Sequence, residues 1–380
     1  MSKSKKIWIA VIIIFLVALI GWRWQVLRQK NTNAITVGVA VGETGDGSEW
    51  GQGEFNVYQM YADDINAAGG IDGHPIVLDV QDTKSTGEGT VTAVTKLISI
   101  DHVPVVLGPT WADSYQGANP IAEQAKTVLL TPSTALETID HKENFTYLFS
   151  TYWPQLPEIQ TLDGFMVSHQ MKTLAVINDH DPFDTKFADE LAADAATKGV
   201  SVVDREQVSI DTNDFRTEIL KIKQMHPDAV FIEISNIAGL GPFMGQVKQL
   251  GLSAKIFSTA DAQNADVVSK FGADMEGLAY SFPQEPTGTA YANFVQEYKT
   301  KYGTLPSAPS VMTAYNAIAA LVAVLREGAR TGTEIRDALY KVTVPGLGAA
   351  NISFNNLGAI TQANFDMKMI HNGQFVIITN

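Results

Sequence analysis

VGVAVGETGDGSEWGQGEFNVYQMYADDINAAGGIDGHPIVLDVQD, residues 37–82, passes from an apolar strand pattern through a glycine-rich turn into a helical pattern, then into a second strand pattern. Phe55, Tyr58, Tyr61 and Ile65 step by three and four, giving a helix within 52–68 one apolar face, and Gly69-Gly70 stops it. Strand, glycine turn and helix is also the layout of phosphate-binding loops. A P-loop requires a lysine followed by serine or threonine, and SEWGQGEF after Gly47 supplies neither. The G-x-G-x-x-G fingerprint fails too, because Trp50 stands where the third glycine belongs. Glu43, Asp46 and Glu49 would repel a pyrophosphate. The turn is therefore not built for a nucleotide. Aromatic and acidic residues at the carboxyl end of a strand suit a small solute: Trp50 can close over it and the acids tolerate an ammonium group. The bland alternative is that Trp50 packs on its own lobe and the glycines only make the turn.

The alternation continues outward. Strand-like runs recur at PIVLDV (75–80), VPVVLG (103–108), TVLLT (127–131), TLAVIND (173–179), VSVVD (200–204), DAVFIEI (228–234), KIFST (255–259) and GLAYSF (277–282). Helical spacing separates them, and short continuous apolar strands alternating with helices predict parallel sheets covered on both faces. The series runs twice, with a break at TYWPQLPEI where Pro154 and Pro157 fall. The expected fold class is therefore α/β, with two doubly wound parallel-sheet lobes. Residues 309–341 turn helical and alanine-rich, and the last stretch reads as antiparallel strands with turns at Asn355-Asn356 and Asn372-Gly373.

The chain has 380 residues, of which 45% are hydrophobic and 18% charged, enough for two ordinary domains with real cores. The first 33 residues hold six basic residues and no acidic one; the remaining 21 basic residues face 41 acidic ones, a net of −20. Such a body repels nucleic-acid phosphates, so nucleic-acid binding is disfavoured. The absence of cysteine excludes disulfides, thiolate zinc sites and a thiol nucleophile. The seven histidines are scattered, with no H-E-x-x-H, and no G-x-S-x-G elbow occurs; nothing points to an enzyme. MSKSKK precedes an uncharged run from Ile7 to Trp22 that spans roughly 24 Å as a helix, somewhat short of the roughly 30 Å hydrocarbon core. Trp22 and Trp24 can extend that reach at the headgroups, and small-x-small cleavage sites next to the run are poor. Residues 1–33 are expected to be a basic segment, a membrane anchor or signal helix, and a linker.

The 37–82 stretch resembles the opening of the branched-chain amino-acid-binding proteins, the periplasmic solute receptors of ABC importers. Ile65, Asn66, Gly69, Gly70, Ile71 and Gly73 match the family's IN-x-x-GGI-x-G, and Asp82-Thr83-Lys84 its acidic segment. The resemblance continues more weakly through VPVVLGPTWADS, VLLTPSTAL, LAVINDHDPFD, DAVFIEISN and QLGLSAKIFSTAD, covering essentially everything after residue 34. It implies a type I periplasmic-binding-protein fold with a three-strand hinge, the crossings falling near 150–154, 282–286 and 343–347. Lobe one would then comprise 35–151 and 285–344, and lobe two 152–283 and 346–380.

The resemblance also implies a site in the cleft. Trp50 matches an aromatic residue at its mouth. The loop after VVLG offers Thr110, Trp111 and Ala112, with Ala112 where the family usually has serine. Ser133 and Thr134 lie in the S-P-x-x segment, and Ala135 takes the place of a usual threonine. Phe183 replaces one lobe-two tyrosine and Asn236 stands where another often sits, while Asp261 falls at the acid that pairs with the ligand's ammonium. Fewer hydroxyls weaken a zwitterion site, and the retained acid keeps a preference for an amine. Asp261 could alternatively cap the helix beginning near Asn264. The expected function is an extracytoplasmic receptor, in the periplasm or on the outer face of the cytoplasmic membrane. It would trap an amino acid or related amine-bearing solute and present it to an ABC permease, without a cofactor. The alternative is a membrane-tethered ligand-sensing subunit that signals through a partner protein.

Overall fold

The computed structural model describes residues 34–111, 115–303, 305, 309–347, 351–361 and 363–378. The N-terminal segment 1–33 and Ala112 lie outside the described residues. The first sheet has five strands in the order β2-β1-β3-β4-β5, all neighbours parallel. They are β1 (Ile35–Val41), β2 (Ile76–Asp82), β3 (Val105–Leu107), β4 (Val128–Thr131) and β5 (Leu148–Ser150). The continuous apolar runs of β1, β3, β4 and β5 follow from burial on both faces, with alternate residues serving opposite cores, while the edge strand β2 is only partly buried. Val105 and Leu107 join the core beneath helices Ser48–Ala67, Thr289–Tyr302, Ser310–Arg326 and Gly332–Leu339. Val106 between them faces helices Gly87–Ser99 and Tyr115–Ala125. Ala314, Ala317 and Ala320 are fully buried, so the alanine-rich pattern marks a helix buried in the core.

The second sheet has seven strands in the order β14-β13-β10-β9-β8-β6-β7. β6 (Thr173–Asn178), β7 (Ser201–Gln207), β8 (Ala229–Glu233), β9 (Lys255–Ser258) and β10 (Ala279–Pro283) pair in parallel. β13 (Phe365–His371) and β14 (Gln374–Ile377) close it as an antiparallel hairpin. Asn372 and Gly373 turn that hairpin at φ 51° and 70°, a left-handed pair that Asn-Gly accommodates.

The last return of the chain differs from the expectation. Residues 346–347 and 351–360, expected in the second lobe, lie on the first. Leu347, Ile352 and Phe354 are buried in the first sheet's core. A short antiparallel ribbon of β11 (Val344–Pro345) and β12 (Asn351–Ile352) leads there. The Ser150 N–H then donates to the Gly358 carbonyl at 2.9 Å, and Ile360 N–H to the Ser150 carbonyl at 3.2 Å. The cause is the Asn355-Asn356 turn, which folds Phe354 onto Phe149 with ring centroids 5.3 Å apart. Gly358 closes it at φ 79°, where a side chain would strike the Leu148 carbonyl. The chain rejoins the second sheet only at Phe365. Among the described residues no helix is long and apolar enough to cross a membrane; the apolar run from Ile7 lies outside them.

Candidate functional site

The glycine-rich turn is held from within. Asp82 accepts hydrogen bonds from the Glu43 N–H at 3.0 Å, the Thr44 N–H at 3.3 Å and the Thr44 hydroxyl at 2.7 Å. The Gly47 N–H donates to Ser85 Oγ at 3.0 Å. Amides that a phosphate would need are thus engaged by side chains of the next loop. Gly51 brings the first helix against the turn, since a Cβ there would lie 2.3 Å from the Gly42 carbonyl oxygen. Gly51→Ala is therefore expected to destabilise the protein by about 1–3 kcal/mol, because backbone rather than a flexible side chain must yield. An unchanged unfolding midpoint would show that this contact is not tight.

Gly47 lets the Trp111 ring settle on the turn, at the distance where a Cβ would touch it at 3.3 Å. Trp111 has a left-handed backbone at φ 67° and meets Trp50 edge-on, ring centroids 6.4 Å apart. Trp50 also approaches Tyr152 at 6.4 Å, and Tyr152 stacks on Trp153 at 4.1 Å. These rings do not stay within their own lobe. Trp50, Ala135, Tyr152 and Trp153 are buried in one cluster with Ile234, Ala260 and Ala262 of the second sheet's loops. The two lobes therefore meet around the tryptophan, and Asn264 Nδ2 donates to Glu49 Oε2 across the junction at 3.2 Å.

The second lobe presents acids at the carboxyl ends of its strands. Glu158 accepts from the Ala260 N–H at 3.1 Å, Ser281 hydroxyl at 2.6 Å and Trp153 indole at 3.1 Å. Glu233 accepts from the Thr259 hydroxyl at 2.8 Å, with Ser258 Oγ at 3.3 Å. Between them Asp261 keeps Oδ1 buried with no hydrogen-bond partner in the described residues. Burial pushes the Asp261 carboxyl up to about 7, reinforced by Glu158, Asp181 and Glu49. Burial likewise raises Glu158 to about 7 and Glu233 well above the ordinary range, the latter helped by the charge of Asp261. Next to this set Asp179 accepts from the Ser235 N–H at 2.9 Å, and Asp184 from the Ser235 hydroxyl at 3.0 Å. Among the described residues no group of three or more acids and histidines is arranged to hold a metal ion.

The residues singled out from the sequence fall into three sets. Trp50, Trp111 and Asp261 stand at the junction of the lobes, with Phe183 at the edge of the same cluster. Phe183 also packs on Phe187 of its own lobe at 6.0 Å, so its ring serves both. The hydroxyls of Thr110 and Ser133 are turned inward instead. Thr110 donates to Glu54 at 2.8 Å, and Ser133 accepts from the Trp111 N–H at 3.2 Å. Thr134 is buried and its hydroxyl has no hydrogen-bond partner among the described residues, and Asn236 is half-buried before a short 3-10 turn. Ala112 lies outside the described residues. The cap of helix Ala265–Phe271 is Asn264, which accepts from the Val267 N–H at 2.9 Å, so Asp261 is spared that role. Glu54, Glu158 and Glu233 were not singled out; each sits in an apolar helix or strand pattern where a lone acid was the available signal.

Comparison with known proteins places this geometry. The sequence profile described as periplasmic binding protein matches residues 34–374. The leucine-, isoleucine-, valine-, threonine- and alanine-binding protein of Pseudomonas aeruginosa is 24% identical over 349 residues, 89% of this chain and 90% of that protein. The leucine-specific-binding protein of Salmonella typhimurium is 22% identical over 304 residues, 78% of this chain and 79% of its own. Among solved structures, the branched-chain amino acid transporter substrate binding protein from Streptococcus pneumoniae in complex with isoleucine aligns at a TM-score of 0.79 and 20% identity, covering 91% of this chain and 99% of that one. A solute binding protein of an ABC transporter from Rhodopseudomonas palustris, in complex with 3,4-dihydroxybenzoic acid, also aligns at 0.79 and 20%, covering 91% and 96%. The same fold therefore houses quite different solutes. With the profile spanning nearly everything after residue 33, this chain belongs to the periplasmic binding protein family, whose members bind solutes and do not catalyse.

Proposed function

We propose that this protein is the extracytoplasmic solute receptor of an ABC importer and traps an amine-bearing solute, an amino acid or related compound, between its lobes. The observation that carries the reading is the buried Oδ1 of Asp261 at the lobe junction, which meets no hydrogen-bond partner among the described residues. A buried carboxylate left unpaired is costly, and an ammonium group relieves that cost. Trp50 and Trp111 supply apolar walls, with Thr134 buried behind them and Phe183 and Asn236 at the rim. The chain passes between the lobes at about 151–154 and 284–288 and again just before Phe365, and rotation there opens and closes the cleft. Contacts to both lobes favour the closed form, which docks on the permease. The run from Ile7 to Trp22 tethers the receptor to the membrane.

The test is thermal unfolding of the full chain in detergent with each amino acid and a panel of amines. A solute at about 100 times its Kd stabilises by about 2.7 kcal/mol and raises the midpoint. If no amine-bearing solute raises it, the reading is wrong.

A further inference from the structure

We propose that a groove on the hinge flank, outside the cleft, is a second ligand site that takes a small apolar cation, and that the cation holds the two lobes as they stand here. It does not depend on which solute the cleft takes.

The groove encloses about 780 Å³ and is built by both lobes. Leu136, Ile139 and Ile360 wall it from the first lobe, and Pro154, Leu156 and Ala193 from the second. Its size is that of a small-molecule pocket and far exceeds a bare metal ion. Leu156 and Leu357, 50% and 44% exposed, leave apolar surface open in it. Pro154 belongs to the first chain crossing and Ile360 leads towards the last, so rotation of the lobes changes the groove's width.

Its charge is acidic. Glu137, Glu143, Glu190 and Asp194 line it against Lys142, whose Nζ donates to the Phe145 carbonyl at 2.7 Å. Glu190 and Asp194 pair with Lys186 at 3.2 Å and Lys198 at 2.6 Å, and neither lysine is part of the lining. Glu137 reaches from the first lobe to accept the Gln155 N–H, at the start of the second lobe's helix Gln155–Ser168. Burial raises the Glu137 carboxyl, and the charge of Glu190 on the opposite lobe adds to the rise, against the Gln155 N–H and Lys186. Two acids of opposite lobes thus repel one another between apolar walls. A cation set there is attracted to both, and its apolar substituents cover the exposed leucines. A ligand that engages both lobes favours the arrangement in which they meet.

The probe is benzyltrimethylammonium, titrated calorimetrically into the full chain in detergent, with micelles alone as reference. Saturable binding is expected, at least tenfold tighter than that of the neutral N,N-dimethyl-2-phenylacetamide. Glu137→Gln keeps an acceptor for the Gln155 N–H and should weaken the cation at least tenfold more than the amide. Leu357→Trp, which fills the groove from an exposed position, should abolish binding of both. Each variant is first shown to unfold cooperatively. Because the chain has no cysteine, Ile100→Cys and Met225→Cys place one spin label on the exposed surface of each lobe. The probe should narrow their distance distribution to a single population, and should not do so when Leu357→Trp is added. Absence of saturable binding overturns the proposal, as does binding indifferent to Glu137→Gln and Leu357→Trp, which places the cation elsewhere. An amide that binds as well as the cation, or binding that leaves the distances unchanged, overturns it too. Each of these results leaves the receptor reading standing.

Discussion

Asp261→Asn is expected to remove amine binding and, in the absence of solute, to make the protein more stable at pH 8. The two effects have opposite signs for one reason. Burial, then the charges of Glu158, Asp181 and Glu49, raise the Asp261 carboxyl from 3.8 to about 7. Its ionised form is therefore unwelcome in the empty cleft. Above the raised pKa the group destabilises the folded chain, and an amide of the same shape relieves up to about 3 kcal/mol. In the complex the same charge is matched by the ligand's ammonium, and breaking a buried pair costs about 3–5 kcal/mol, more than 100-fold in Kd. A residue that merely braces the loop would lower stability and affinity together. Unfolding midpoints of both proteins at pH 8, with and without solute, separate the possibilities. A variant that is less stable and still responds to solute would remove Asp261 from the site.

The fold was legible because its two signals are local and strong. Apolar runs such as VPVVLG and DAVFIEI mark strands buried on both faces, and INAAGG marks a helix end. The last chain crossing was not legible. Phe354 is placed by its contact with Phe149, more than two hundred positions earlier, and no periodicity reports such a contact. The site divided in the same way. Asp261 and Trp50 stood out as acid and aromatic on strand-end loops, where α/β sheets bind ligands. The inward turn of Thr110 and Ser133 could not be read, because it depends on Glu54, a helix residue whose burial only packing reveals. Glu158 is a similar case: it follows the prolines of the break, where an exposed first-turn acid is the ordinary expectation, yet the nearby Trp153 indole and two donors from distant segments, the Ala260 N–H and the Ser281 hydroxyl, converge on it.

Stability of the whole protein is expected to fall as pH rises from about 5 to about 8.5, and Glu54→Gln should remove a large part of that loss. Glu54 is fully buried on helix Ser48–Ala67, one turn beyond Trp50. Burial raises its carboxyl from 4.5 to about 8, against the lowering effect of the Thr110, Ser133 and Ser310 hydroxyls. Among the described residues Oε1 accepts no well-formed hydrogen bond, so those hydroxyls do not offset desolvation. A carboxyl whose folded pKa lies above its unfolded one favours the folded state only while protonated. Its contribution is complete below about 4.5 and is lost as pH passes about 8. Glu158, at about 7, and Asp163, buried between helices and raised to about 8, work in the same direction. Asp82 and Asp228, whose carboxyls are held below the ordinary range, act oppositely and cost stability only in stronger acid. Together these place the most stable pH on the acidic side of neutral. The glutamine variant keeps an oxygen for Thr110 and offers an amide to Ser133 and Ser310. At pH 8.5 it should exceed the parent by on the order of 3 kcal/mol, and near pH 4.5 the two should coincide. Denaturant unfolding across that range measures both curves; if they run parallel, the Glu54 proton is not what the pH dependence reports.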